Sequence, residues 1–267
     1  MPIPFVAQSV LIEGPDALAF AHAQFSSHVD ALECGQWQFS AWLSAQGRVR
    51  ALFHLARPSE HQLLLLLRGG DADTLTEALG RYVFRAKVSI SASHPRRIGT
   101  GPALALYTFQ TVGDTLELGC GDHRLRVSET ETSDTQWRLP QLRAGWPWLP
   151  LMELDKWLAP ALSLQRLQAT VTDKGCYPGQ EIIARLHFRG GHKWHLHGAT
   201  LAHSANPGDR LHLNNEDVGC VLDVVVHDGH VEALVVITDA AAAEFRDGRL
   251  DVHRDNTIVS LQTDRSA

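Results

Sequence analysis

Beyond Gly191 the chain becomes a row of short alternating runs: HGATLA, RLHL, VGCVLDVVV, HVEALVVITD, RLDVHR and TIVSL. Pro207-Gly208, Asn214-Asn215 and Asp228-Gly229 separate them. An Asp-Gly pair between two alternating runs is a strong hairpin signal, because glycine accepts the positive φ that a tight turn demands. Strands this short bury their apolar faces only by closing on themselves or by packing sheet on sheet, so the segment reads as a small β-barrel or sandwich. A boundary near Gly190-Gly191 follows, dividing a body of residues 1–190 from a β unit of residues 191–267.

The body mixes helix and strand. GPDALAFAHAQFSSHVDAL carries Leu18, Ala21, Phe25, Val29 and Leu32 at helical spacing, with Pro15-Asp16 as a start signal. QWQFSAWL and VRALFHL read as strands joined by a Gly-containing hairpin at residues 44–48, and HQLLLLLRG as a third strand ended by Gly69-Gly70. DADTLTEALGRYVF predicts a helix capped by Asp71 or Asp73. KVSISAS alternates as a strand before a loop HPRRIGTG. ALALYTF, TLELG, HRLRVSE and QWRLPQL read as short strands, and AGWPWLP as an irregular connection. Interleaved elements of both kinds make the fold class α+β.

Composition removes several function classes. A net charge of −6 over 267 residues argues against broad nucleic-acid binding, which needs a cationic face to displace phosphate counterions. No apolar run approaches the roughly 20 residues needed to span a bilayer. The start MPIPFVAQSV lacks the basic region and apolar core of a signal peptide, so a cytoplasmic protein is expected. Fifteen histidines include His195 and His197 on one face of a predicted strand, but no carboxylate or cysteine at suitable spacing completes a metal set, and no metal is expected.

Four cysteines, Cys34, Cys120, Cys176 and Cys220, lie far apart with no CxxC among them. Without a secretory signal a disulfide framework is not expected. Cys34, Cys120 and Cys220 read as buried structural thiols, since free cysteine is among the most buried residue types. Cys176 differs, because it sits in DKGCYPGQEIIAR among polar neighbours. Tyr-Pro-Gly-Gln fits a turn with Pro second and Gly third, and a helix begins directly after it with Gln180 and Glu181 in its first turn. Cys176 therefore lies near a helix N-terminus with Lys174 and Arg185 close in sequence, the surroundings that favour a thiolate. Arg189 and Lys193 extend a basic cluster suited to carboxylates, and Arg48 in the hairpin turn is a further candidate.

The block KGCYPGQE, followed by AR and FRGGHK, resembles the signature K-G-C-[YF]-x-G-Q-E of the YgfZ family. These folate-binding proteins are related to the aminomethyltransferase (T protein) of the glycine cleavage system. IEGPDALAFAHAQFSSHV with SAQGRV is similar to the family's N-terminal helix and hairpin, QWRLPQLRAGWPWL to its strand before the motif, and the C-terminal strands to its terminal barrel. The chain departs from the family's Q-x-T-x-D pattern at Gln24 to His28, where Ser26 and His28 stand.

The resemblance implies a T protein-like folate-binding body with a C-terminal β-barrel, and tetrahydrofolate or a one-carbon derivative as cofactor. It implies a monomeric factor that maintains iron–sulfur enzymes, including those that methylthiolate tRNA, with client enzymes or assembly proteins as partners. Cys176 is the key residue it implies. Trp137 is the expected aromatic wall of the folate pocket, with Gln24, Arg48, Lys174, Gln180, Glu181 and Arg185 as further contacts. An alternative is a tetrahydrofolate-dependent aminomethyltransferase, a group that resembles this block but typically lacks the thiol. A cysteine hydrolase would need a histidine held beside Cys176, and no local protease signature is present. Whether the chain catalyses a reaction is left open at this stage.

Overall fold

The computed structural model describes residues 6–130 and 134–244 in full, and residues 249–254 and 257–262 as backbone. In chain order the elements are β1 (Val6–Ala7), β2 (Ser9–Glu13), α1 (Ala17–Gln24), β3 (Trp37–Leu43), β4 (Val49–Ser59), β5 (Gln62–Leu67), α2 (Ala72–Gly80), β6 (Ser89–Ala92) and β7 (Arg96–Gly101). There follow β8 (Phe109–Val112), β9 (Thr115–Gly119), β10 (Arg124–Ser128), α3 (Arg138–Arg143), α4 (Gln180–Arg189) and β11 (Trp194–Leu201). The chain continues through β12 (Arg210–Leu213), β13 (Glu216–His227), β14 (His230–Thr238), α5 (Asp239–Ala243), β15 (Arg249–Arg254) and β16 (Thr257–Gln262). The strands form three antiparallel sheets, ordered β3-β4-β5-β2-β6, β1-β7-β10-β9-β8 and β11-β14-β13-β12-β15-β16.

The leucine run of β5 shows why the first sheet is buried on both faces. Leu63, Leu65 and Leu67 point to one core with Phe20 of α1 and Leu75 of α2. Leu64 and Leu66 point to the other, with Trp37, Phe39 and Leu52. Successive side chains alternate across a strand, so five consecutive leucines serve two cores at once. The second core is shared by all three sheets: Ile98 and Leu125 enter from one, Cys220, Leu222 and Leu234 from another. Val221, Val235 and Ile237 alternate to a third core within the C-terminal sheet. Its edge strands β11 and β16 lie against each other, so this sheet curls toward closure as the turn spacing anticipates.

Four local expectations are corrected. The helix expected to reach Leu32 stops at Gln24, and Phe25 is extended and bridges to Trp42. Ser26 Oγ donates to the carbonyls of Ala41 and Ala169 at 3.0 and 2.6 Å, and Ser27 Oγ to Ser40 Oγ at 2.7 Å. Serine side chains that find such partners compete with continued helix. HPRRIGTG is largely strand β7, paired with β10. ALALYTF is mostly turn, with Tyr107 at φ 68°, and only Phe109 onward is strand. QWRLPQL is helix α3: Pro140 falls in its first turn, where the missing N–H costs nothing.

Candidate functional site

The turn Tyr177-Pro178-Gly179-Gln180 closes with Gln180 N–H donating to Tyr177 O at 3.2 Å, and Gly179 takes φ 82°. A side chain at Gly179 has no room, because a Cβ there would lie 2.6 Å from Ser44 O and 2.9 Å from Gly47 Cα. The N-terminus of α4 is thus seated directly on the β3–β4 hairpin turn. Ile183 is fully buried beneath α4, while Glu181 and Arg185 face outward.

Ahead of that turn the loop is tied to the end of α1. Lys174 Nζ donates to the carbonyls of His22, Phe25 and Ser27 at 2.6, 2.7 and 2.9 Å. Burial pushes the Lys174 ammonium down to about 8, and Asp30 opposes that shift. Gln180 Nε2 donates to Lys174 O at 2.9 Å, His28 Nε2 lies 2.8 Å from Asp173, and Tyr177 OH donates to Val171 O at 2.6 Å. With its neighbours fixed on both sides, Cys176 is exposed. Lys174 serves the backbone of α1 rather than standing as a loose cation.

A cavity of about 370 Å³ opens where the three sheets meet, lined by Val6 of β1, Gln8, Leu67 at the end of β5, Trp148, and Leu222 and Asp223 of β13. Its wall depends on two features beyond β5. Gly69, at φ 111°, lets the chain pass so close that a Cβ would lie 2.0 Å from Leu149 O. Arg68, 1% exposed, donates from Nε to Pro147 O at 3.0 Å, and through Nη2 to Trp146 O at 2.8 Å and Nη1 to Gln141 Oε1 at 2.7 Å. The segment Trp146 to Leu149 is held by these contacts, and the Arg68 guanidinium lies 5.1 Å from the Trp148 ring. Burial lowers Arg68 to about 10. Arg68 also lies 3.3 Å from His54 Nε2, and burial with the neighbouring Arg68 charge holds His54 well below its ordinary pKa. His54 Nε2 therefore accepts, and its proton resides on Nδ1.

Trp137, the expected aromatic wall of a folate pocket, does not line this cavity. It is 1% exposed at the start of α3, with its indole N–H donating to Asp134 O at 3.1 Å and its ring 5.5 Å behind that of Trp148. Trp148 lines the cavity. The structure brings Gln24, Lys174, Cys176 and Gln180 together around the end of α1 and the motif turn. Arg48 stays at the hairpin, its Nη1 donating to Lys156 O at 2.8 Å. None of these, nor Glu181 or Arg185, lines the cavity. Cys34, expected to be buried, is exposed, whereas Cys120 and Cys220 are buried with thiols pushed up to about 12. His195 pairs with Asp239 at 2.9 Å. Among the described residues no group of three His, Cys, Asp or Glu side chains is arranged to hold a metal, and no helix is long and apolar enough to cross a membrane.

Sequence reasoning missed Arg68, Trp148 and Asp223. The signals were the Gly69-Gly70 pair, read only as a strand end, and AGWPWLP, read only as a connection.

Among curated proteins the chain is 24% identical over 281 residues to the tRNA-modifying protein YgfZ of Sodalis glossinidius, covering 88% of this chain and 84% of that one. It is 25% identical over 278 residues to the tRNA-modifying protein YgfZ of Yersinia enterocolitica, covering 88% and 83%. The resemblance to the YgfZ family holds. An uncharacterized protein of Haemophilus influenzae is 27% identical over 195 residues, which span 70% of this chain and 68% of that protein. No protein-family model matches. Among solved structures, the aminomethyltransferase T of the glycine cleavage system from Bartonella henselae superposes with a TM-score of 0.71 at 14% identity, over 96% of this chain and 82% of that one. The fold is that of the T protein, and the α+β class follows.

Proposed function

We propose that this chain is a folate-binding factor that supports the assembly or repair of iron–sulfur enzymes, including those that methylthiolate tRNA. The observation that carries this reading is the exposed Cys176 on a loop pinned at both ends, inside the block KGCYPGQE that resembles the YgfZ signature. An exposed thiol is open to chemistry, and Cys176, unlike the exposed Cys34, lies in the motif loop at the N-terminus of α4. Its partner is an iron–sulfur client enzyme or an assembly protein in the cytoplasm. Residues 1–190 form most of the folate-binding body, and the β unit of residues 191–267 contributes Leu222 and Asp223 to the cavity.

The central cavity fits a folate. It is large enough for a bicyclic ring, is lined by Trp148, and carries polar groups at Gln8 and Asp223. Trp148 packs against the ring, and Trp137 supports Trp148 from behind. A bound tetrahydrofolate supplies a one-carbon carrier. Lys174 and Gln180 set the conformation of the Cys176 loop through their hydrogen bonds, and Gln24, Arg48, Glu181 and Arg185 belong to this reading as further folate contacts.

The test is complementation in cells lacking the protein. Cys176→Ser keeps size and fold while removing the sulfur, and tRNA methylthiolation is expected to stay at the level of the deletion. Full complementation by the serine protein overturns the reading. An aminomethyltransferase of this fold needs no thiol here, so activity in a glycine cleavage assay that survives the same substitution favours that alternative.

A further inference from the structure

Four buried side chains from separate segments form one directional line of hydrogen bonds behind the cavity wall. They are His54 of β4, Arg68 just past β5, His123 just before β10 and Gln141 of α3, none more than 7% exposed. Arg68 Nη1 donates to Gln141 Oε1 at 2.7 Å and to His54 Nε2 at 3.3 Å. With the Gln141 oxygen taken, its amide nitrogen faces the other way, 3.3 Å from His123 Nε2 and 3.7 Å from Cys120 Sγ. His123 Nε2 therefore accepts, and its proton sits on Nδ1, 2.7 Å from the exposed carboxylate of Asp122.

A second proton on His123 has no place in that line. It sets an Nε2–H against the Gln141 amide N–H, donor against donor. Turning the amide over gives no relief, since its NH₂ then faces the Arg68 guanidinium. The imidazolium is left to swing out with Asp122, whose side chain is 76% exposed, and Gln141 loses its outer anchor. Gln141 and Arg68 together hold the segment Trp146 to Leu149. Trp146 N–H donates to Gln141 O at 3.0 Å, and Arg68 grips the Trp146 and Pro147 carbonyls. Trp148, which lines the cavity, lies within that segment. Other titratable groups face the same line. Burial and Arg68 hold His54 well below its ordinary value, Arg68 stands at about 10 and the Cys120 thiol at about 12. Asp223 and Arg138 face Arg68 from the far side, and burial raises the Asp223 carboxyl, so a substitution at His123 is needed to separate the titrations.

We propose that His123 is a proton-operated latch on this wall. Neutral, it locks Gln141, Arg68 and the segment carrying Trp148; protonated, it releases them and weakens binding in the cavity. Histidine is the side chain whose charge ordinarily changes between pH 5 and 8, which suits it to this task. His123 touches no ligand and acts as a positioning residue. Its effect on a ligand rests on the folate reading above, whereas the loosening of the wall does not.

The experiment measures hydrogen–deuterium exchange of residues 146–149 by mass spectrometry, at pH 8 and 5.5, in the full-length wild type, His123→Gln and Asp122→Asn. Glutamine keeps an acceptor for Gln141 but takes no proton, and the intrinsic exchange chemistry of the segment is the same in all three chains. The wild type is expected to exchange about 2–10-fold faster than His123→Gln at pH 5.5, the range for one net hydrogen bond, and equally at pH 8. Asp122→Asn still accepts from Nδ1 but no longer balances the imidazolium, so its acid loosening is expected to be smaller than that of the wild type. This exposed substitution decides alone if thermal melts show His123→Gln to be unfolded. Wild-type exchange no faster than that of the variants at pH 5.5 overturns the latch. Calorimetry with tetrahydrofolate at both pH values reads the effect on a ligand. The affinity of the wild type relative to His123→Gln should fall by about 2–10-fold from pH 8 to 5.5, the ligand's own titration cancelling in the ratio. An unchanged ratio beside a changed exchange overturns the effect on binding. No tetrahydrofolate binding at either pH overturns the folate reading, and the exchange comparison still decides the latch.

Discussion

The ammonium of Lys174 donates to the carbonyl oxygen of His22 at 2.6 Å, joining positions 152 residues apart. With the Phe25 and Ser27 carbonyls it closes the end of α1, where helix carbonyls otherwise lack partners, and fixes the loop carrying Cys176. Lys174→Met is expected to cost about 2–4 kcal/mol, because it strands acceptors that now bond a charge. Chemical denaturation checks the loss. A change under about 0.5 kcal/mol, the size of an ordinary surface substitution, would show the clamp to be dispensable.

Alkylation should separate the four thiols into two classes. Cys176 and Cys34 are exposed, whereas Cys120 and Cys220 are buried with thiols pushed up to about 12. Iodoacetamide followed by mass spectrometry should label Cys176 and Cys34 in the native protein, and the other pair only in denaturant. Native labelling of Cys120 or Cys220 ahead of Cys176 contradicts the packing.

Trp148 in the cavity wall and Trp137 behind it should respond differently. Trp148→Ala is expected to weaken folate binding by about 1–3 kcal/mol, borrowing the magnitude for stacking on a nucleic-acid base. Trp137→Ala should instead lower stability by about 3–5 kcal/mol, as for a fully buried aromatic. Melting curves and titrations on both variants test the division.

His54 predicts a pH dependence. Its folded pKa is depressed by burial and by Arg68, so the unfolded chain binds the proton more readily below the ordinary histidine value. Stability from this group is complete above about pH 6.5 and is lost as pH falls, by up to about 1.4 kcal/mol per pH unit. Denaturation between pH 7 and 5 should show a shallower slope in His54→Gln than in the wild type. Equal slopes would mean that other groups carry the acid sensitivity.

Gly179→Ala should destabilise more than Gly190→Ala. Both glycines have positive φ, at 82° and 66°, but only at Gly179 would the added Cβ meet backbone, 2.6 Å from Ser44 O. The backbone strain common to both costs about 1–2 kcal/mol, and the clash adds to it only at Gly179. Comparing the two midpoints isolates that contact.

Elements fixed by local chemistry were legible in the sequence. The Asp228-Gly229 hairpin, the Tyr-Pro-Gly-Gln turn and the Asp71 cap, which accepts from Thr74 N–H at 2.8 Å, need only neighbouring residues. QWRLPQL alternates like a strand, yet tertiary packing of Trp137 and Leu142 into the central core makes it a helix. The exposure of Cys34, near Glu33 and Gln36, was missed, whereas that of Cys176 was legible because its surroundings are polar in sequence. The cavity was not: Arg68, Trp148 and Asp223 come from three distant segments and acquire meaning only once the sheets converge.

The seating of α4 on the β3–β4 turn changes what that turn tolerates. A two-strand hairpin tip at a protein surface is ordinarily where insertions, affinity tags and circular permutations are accepted. Here Ser44 and Gly47 are the floor under Gly179, 132 positions or more later in the chain. Lengthening the tip by even one residue lifts that floor and dislodges the cysteine loop without altering a residue near the thiol. Loop-length variation at residues 44–48 is therefore coupled to the motif, and a fusion protein built at this exposed tip would report a loss of function whose cause lies in a different part of the sequence.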